Sequence, residues 1–327
     1  MKHILGIGNA LVDVMTIIDN DAILRKFDLP KGSMTLVDNE KSQLIKTGTA
    51  GFKRSLASGG SSANTIHGLS MLGAAVGFIG SIGKDETGDF FENDMRKAGV
   101  NTMLFRRSSI TGTAVALITP DSERTFATHL GAAVELGAND LMPEHFSKYD
   151  ILYLEGYLIN DKAFVEKACR LAQENKMEIA LDLASYNVVD AKLGDFRDII
   201  EKYVDIVLAN EEEAKSFTGM EREKALDKIA EHSNIAIVKI GKEGSMIRRG
   251  QELIRTGSLP VVCLDTTGAG DLYASGFLYG YANELPLDKC GLLGALLAGN
   301  VIQDLGARIP HRKWKSIKRK AGSIING

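Results

Sequence analysis

The chain is poor in cysteine, proline and tryptophan and has no long apolar run. Its three cysteines, Cys169, Cys263 and Cys290, are scattered along 327 residues. An odd number at wide spacing argues against a disulfide framework or a zinc site and fits a reducing, cytoplasmic setting. No apolar stretch approaches the roughly 20 residues of a membrane span. At the N-terminus Asn9 and Asp13 interrupt the apolar start early, so it reads as a first core strand and not as a signal peptide. Net charge is −3, which leaves no global basic field to draw nucleic acid. The basic stretch 311–320 is the local exception, read as a solvated last helix or as a polyanion site. Two nucleotide fingerprints are also missing. Leu11 stands where Gly6-Ile7-Gly8 would need its third glycine. Gly83-Lys84 has Phe78 where a P-loop needs glycine five positions earlier, and Asp85 where it needs serine or threonine, which excludes a P-loop.

What is present suits an α/β protein. Hydrophobic residues make up 44% and charged ones 25%, enough apolar material for one large core or two modest ones. Short apolar runs at 4–7, 75–79, 151–154, 179–183, 206–209, 235–240 and 259–264 read as buried strands. Helical spacing fills 62–72, 88–98, 161–174, 195–203, 211–218, 223–232, 272–282 and 287–305. This alternation predicts a mostly parallel central sheet with helices on both faces. Two stretches break the rhythm, 12–57 and 102–130. Within them 14–18, 33–37, 113–119 and 124–128 are strand-like, and the last two read as a hairpin turning at Pro120-Asp121-Ser122. They form either a small separate sheet or edge strands of the main one.

The segment Asp265-Thr266-Thr267-Gly268-Ala269-Gly270-Asp271 carries the chemistry. It reads as a glycine-rich turn opening the helix 272–282. Such a turn aims backbone N–H groups and the positive end of the helix dipole at one spot. An anion site beside the carboxylate of Asp271 suits phosphoryl transfer, with amides holding developing charge and the carboxylate accepting a hydroxyl proton. The competing reading makes Asp271 only a helix cap.

The segment resembles the C-terminal signature of the ribokinase-like (PfkB) family of sugar and nucleoside kinases. Gly59-Gly60-Ser61-Ser62-Ala63-Asn64, continuing to the stretch 80–88, resembles its N-terminal signature. The resemblance covers essentially the whole chain. It implies a ribokinase-like fold, with a core of 1–12, 58–101 and 131–327 and a discontinuous β lid of 13–57 and 102–130. It implies an ATP- and Mg²⁺-dependent kinase acting on a primary hydroxyl, with Asp271 as base and Gly268, Ala269 and Gly270 as anion hole. Asp13, Gly59, Gly60 and Asn64 are then substrate-binding; a lone Asp13 is otherwise a turn residue. Asn210 and Glu213 match the family's Asn-x-x-Glu motif near ATP and magnesium, or else cap a helix. Lys239, Gly241 and Gly244 match a strand–turn that meets the nucleotide, with Lys239 where the family often has threonine, or else make a hairpin. Asn300 faces either adenine or a local partner. The carbonyls of Asp265 and Thr267 are candidates for a K⁺ site. The expected substrate is a nucleoside resembling adenosine, with a sugar or sugar acid as the alternative and a non-catalytic sensor as the rival class. Monomer and homodimer both remain open.

Overall fold

The computed structural model describes residues 1–121 and 123–327. Among them, fourteen strands form two sheets. In the large sheet β1 (Ile4–Ile7) lies between β5 (Val76–Gly83) and β9 (Ile151–Glu155), all parallel. Beyond β9 follow β10 (Glu178–Asp182), β11 (Ile206–Asn210) and β12 (Ile235–Lys239), also parallel. These strands are almost wholly buried apolar runs, because helices cover both faces. Two antiparallel strands, β13 (Ser245–Arg249) and β14 (Glu252–Thr256), close one edge. Sequence patterning missed this pair, since only Met246 and Ile247 of β13 form a buried apolar stretch and most of β14 is exposed or half-buried.

The second sheet is smaller, in the order β3 (Met34–Leu36), β8 (Arg124–Gly131), β7 (Thr111–Ile118), β2 (Leu11–Ile17), β4 (Arg54–Gly59). The expected hairpin is the antiparallel pair β7–β8. Ser122 of its turn lies outside the described residues. Val12, Val14, Val115, Leu117 and Ala127 pack on Leu24 and Ile45 of the helices Ala22–Lys26 and Asn39–Gly48, two helices that the sequence reading did not anticipate. Side chains alternate across a strand, so the opposite face carries Asp13, Met15, Ala114, Ala116 and Phe126.

Two expectations change. The edge strand β6 (Asn101–Arg107) pairs in parallel with β5, so the first part of 102–130 belongs to the large sheet. The run 259–264 is no strand. Val262 is 87% exposed and Leu264 47% exposed, while Leu259 and Val261 line a cavity. Its apolar side chains serve a pocket rim, a use that run length cannot distinguish from a buried strand.

Candidate active site

The carboxyl ends of β1 and β9–β12 converge where the two sheets meet, the usual place for a ligand in an open α/β sheet. Three pieces build the site. The first is the end of β4 and the helix Ser61–Leu72. Gly60 has φ 95°, and any Cβ there would strike the Asn9 carbonyl, so only glycine makes this turn. Glu155, at the end of β9, ties the piece together. Its carboxylate accepts from the amides of Asn9 at 2.9 Å and Ser62 at 2.7 Å and from Asn9 Nδ2 at 2.6 Å. Burial nevertheless pushes Glu155 up to about 7.

The second piece is the turn 265–271. Gly268, at φ 74°, reverses the chain into the helix Ala269–Ala282. The Ala269 amide already donates to the Thr266 carbonyl at 3.1 Å. The amides of Gly270 and Asp271 have no backbone acceptor among the described residues, and they face the helix's positive end. Asp271 sits beside them and accepts from Ser61 Oγ at 2.7 Å and Asn64 Nδ2 at 2.9 Å. Burial raises Asp271 to about 6, although both hydrogen bonds favour the ionised form. The Asp265 carboxylate is buried, accepts from the Thr267 amide at 2.7 Å and is ion-paired to Arg124 of β8. The small sheet is thereby tied to the turn.

The third piece is a cavity of about 680 Å³ behind the turn. Asp182, Asn210, Glu213 and Lys239 line it at the ends of β10–β12, with Gly241 and Gly244 where β12 turns into β13. Asn210 and Glu213 form a capping box, the Glu213 carboxylate accepting from the Asn210 amide at 2.7 Å and from its Nδ2 at 2.7 Å. Burial pushes Glu213 up to about 7, against the pull of Lys239. Among the described residues no group of three His, Cys, Asp or Glu side chains makes a metal cage. The Glu213 carboxylate at the edge of this roomy cavity suits a hydrated Mg²⁺ that keeps most of its waters, while Asp182 is already ion-paired to Lys239.

Most residues singled out from sequence therefore meet. Asp13 points toward Gly59, where a Cβ would touch its carboxylate, and feels both Arg308 and Asp271. Burial takes Asp13 to about 7, with Arg308 opposing. Asn300 stands apart. Its Nδ2 donates to the Leu296 carbonyl of its own helix at 2.8 Å, and Ala298 and Gly299 form that wall of the cavity. Four residues were missed: Glu155, Asp182, Arg124 and Arg308. For Asp182 and Glu155 a signal existed, a carboxylate at the carboxyl end of an apolar strand. Arg308 donates to the Ser58 carbonyl at 2.6 Å and 2.8 Å, a contact across 250 residues that no local pattern announces.

A glycine-lined anion cradle, a recessed carboxylate beside it and a nucleotide-sized cavity define a phosphotransferase with an alcohol group as acceptor. The chain belongs to the pfkB family of carbohydrate kinases, whose model matches residues 32–314. It is 35% identical to a probable sugar kinase of Rhizobium etli, with TM-score 0.89 and 98% of each chain covered. It is 34% identical to the adenosine kinase of Sinorhizobium meliloti, with TM-score 0.88, covering 98% of this chain and 99% of that one. Adenosine kinase 2 of Arabidopsis thaliana is 26% identical, covering 94% of this chain and 96% of the relative. The fold is accordingly ribokinase-like, and no helix among the described residues is long and apolar enough to cross a membrane.

Proposed function

We propose that the chain transfers the γ-phosphoryl group of ATP to the primary hydroxyl of a nucleoside resembling adenosine. One observation carries the choice of acceptor. Asp13, suited to sugar hydroxyls, shares its sheet face with Met15, Ala116 and Phe126, and Met15 reaches the loop at Gly306. Met15 and Ala116 are already buried against their own surroundings, so the apolar surface left for an acceptor is the half-buried ring of Phe126, which a nucleobase would cover and a bare sugar would not. The whole-length similarity to the Sinorhizobium adenosine kinase supports the same reading.

In this reading Asn64, Gly59 and Gly60 frame the acceptor with Asp13. Asp271 takes the proton of the attacking hydroxyl while the hydroxyl oxygen bonds phosphorus and ADP leaves. Gly268 and Gly270 hold the phosphoryl oxygens. Asn210, Lys239, Gly241 and Gly244 meet the nucleotide, and Asn300 supports its adenine wall through the helix. Glu213, held by Asn210, would hold Mg²⁺ through water. That ion supplies charge neutralisation of the phosphates. The smaller sheet acts as a lid that keeps water from competing with the acceptor. For K⁺, the Asp265 carboxylate already has Arg124 as counter-charge, so a cation there would rely on the carbonyls of Asp265 and Thr267.

The test is an ADP-release screen with ATP and Mg²⁺ over adenosine, inosine, ribose, fructose and 2-dehydro-3-deoxygluconate. Adenosine is expected to give the highest kcat/KM. Turnover of a sugar or sugar acid with adenosine inert would overturn the nucleoside assignment. No turnover at all, with binding retained, would favour a sensor.

A further inference from the structure

The cavity holds an ammonium group that a passive nucleotide pocket does not need. Lys239 ends β12 with its side chain only 13% exposed. Its Nζ donates to Asp182 Oδ2 at 2.7 Å. A Cβ placed on Gly270 would lie 3.2 Å from the same nitrogen, so the ammonium lies against the backbone of the anion cradle. Burial works against the charged form, but Asp182 and Glu213 outweigh it and hold Lys239 above the usual lysine range. The charge is therefore permanent near neutral pH.

Asp182 is itself held in place. Its Oδ1 accepts from the Ala184 amide at 2.9 Å, and Ala184 sits at φ 65°, a left-handed conformation that alanine rarely adopts. Backbone strain of this kind persists where the surroundings enforce a geometry. An ammonium has three donors, and among the described residues one of them is used.

We infer that Lys239 is a catalytic residue whose ammonium contacts the transferring phosphoryl group, and that Asp182 is the positioning residue that aims it. The inference rests on the reading that ATP places its γ-phosphoryl at Gly268–Gly270. The cradle amides then meet the phosphoryl oxygens from one side and the ammonium from the other. As the acceptor oxygen bonds phosphorus, its proton passes to Asp271, the bond to the β-phosphate oxygen breaks, and ADP leaves with that electron pair. Lys239 gives up no proton; it offsets charge that grows on the equatorial and leaving oxygens. The competing account makes Lys239 a mere counter-ion for Asp182.

A charge-removal cycle separates the two. Lys239→Met is expected to lower kcat about 10²–10³-fold, the usual loss for a transition-state donor, with a smaller change in the KM for ATP. Calorimetry should show it weakening ATP binding more than ADP binding. The double variant Lys239→Met/Asp182→Asn removes both charges of the ion pair and leaves only the distant pull on Glu213 uncompensated, so it carries the test even if the single variant fails to fold. It should melt near the wild-type temperature yet stay slow. Recovery of kcat in the double variant would reduce Lys239 to a counter-ion and overturn the inference, with the ATP site untouched. Wild-type protein that bound neither ATP nor ADP would overturn the nucleotide site and this role with it.

Discussion

Asp271 shows what a single side chain reveals and what it hides. The motif around it was legible because glycines and a carboxylate at a helix start have a local physical meaning. Its partners Ser61 and Asn64 come from more than 200 residues away, and only the fold brings them within hydrogen-bond reach. Arg124 and Arg308 were hidden for the same reason, since each acts through a long-range pairing, whereas Asp182 closes an apolar strand and was legible there. Asp271, raised to about 6, is ionised above that value and would then act as the proposed base. The kcat/KM profile should therefore rise as pH climbs through about 6 and level off above 7. Asn64→Ala removes a hydrogen bond that favours the ionised carboxylate, so the rising limb should move to higher pH. A limb that stays in place would mean that another group controls it. Asp271→Asn should lower kcat roughly 10²–10⁴-fold with the melting temperature nearly kept. Near-normal turnover in that variant would leave Asp271 as a helix cap.

At the scale of elements, strands with uniform surroundings read correctly. The parallel core strands are buried on both faces, and their apolar runs announce them. Residues 259–264 are equally apolar but border a cavity, and β13 and β14 alternate too weakly to stand out. The helices Ala22–Lys26 and Asn39–Gly48 were missed because their sole apolar duty is a few contacts on the smaller sheet. The turn after β4 is more demanding than its sequence suggests. At Gly60 a methyl group would meet both a forbidding φ and the Asn9 carbonyl. Gly60→Ala should destabilise the protein by about 1–3 kcal/mol, the range for a forced backbone conformation, and weaken acceptor binding through Asn64. Denaturant melts and acceptor titration measure the two effects. An alanine variant with wild-type stability would show that this turn can relax.

The whole molecule joins two sheets of different solvation. The central parallel strands of the large sheet are dry on both faces, whereas the smaller sheet keeps a part-exposed face toward the cleft that carries Asp13 and Phe126. If that sheet is a lid, bound acceptor should slow amide exchange in β2, β4, β7 and β8 more than in β9–β12. Exchange indifferent to a turned-over substrate would make it a static wall. The seam between the sheets also concentrates carboxylates, the buried Glu155 and Glu213 and the half-buried Asp13, each raised to about 7 chiefly by desolvation. For such groups the folded state binds protons more tightly than the unfolded chain. Stability is therefore greatest below the unfolded values and falls as pH rises toward 7. Glu155 contributes about 3 kcal/mol of this slope, taken from its rise from 4.5 to about 7. Glu155→Gln keeps an acceptor for one amide but cannot ionise. Its melting temperature should be lower than wild type at pH 5, where a hydrogen bond is lost, and should decline less between pH 5 and pH 8. Parallel declines in the two proteins would show that Glu155 stays ionised across the range, and would move the source of the slope to Asp13 and Glu213.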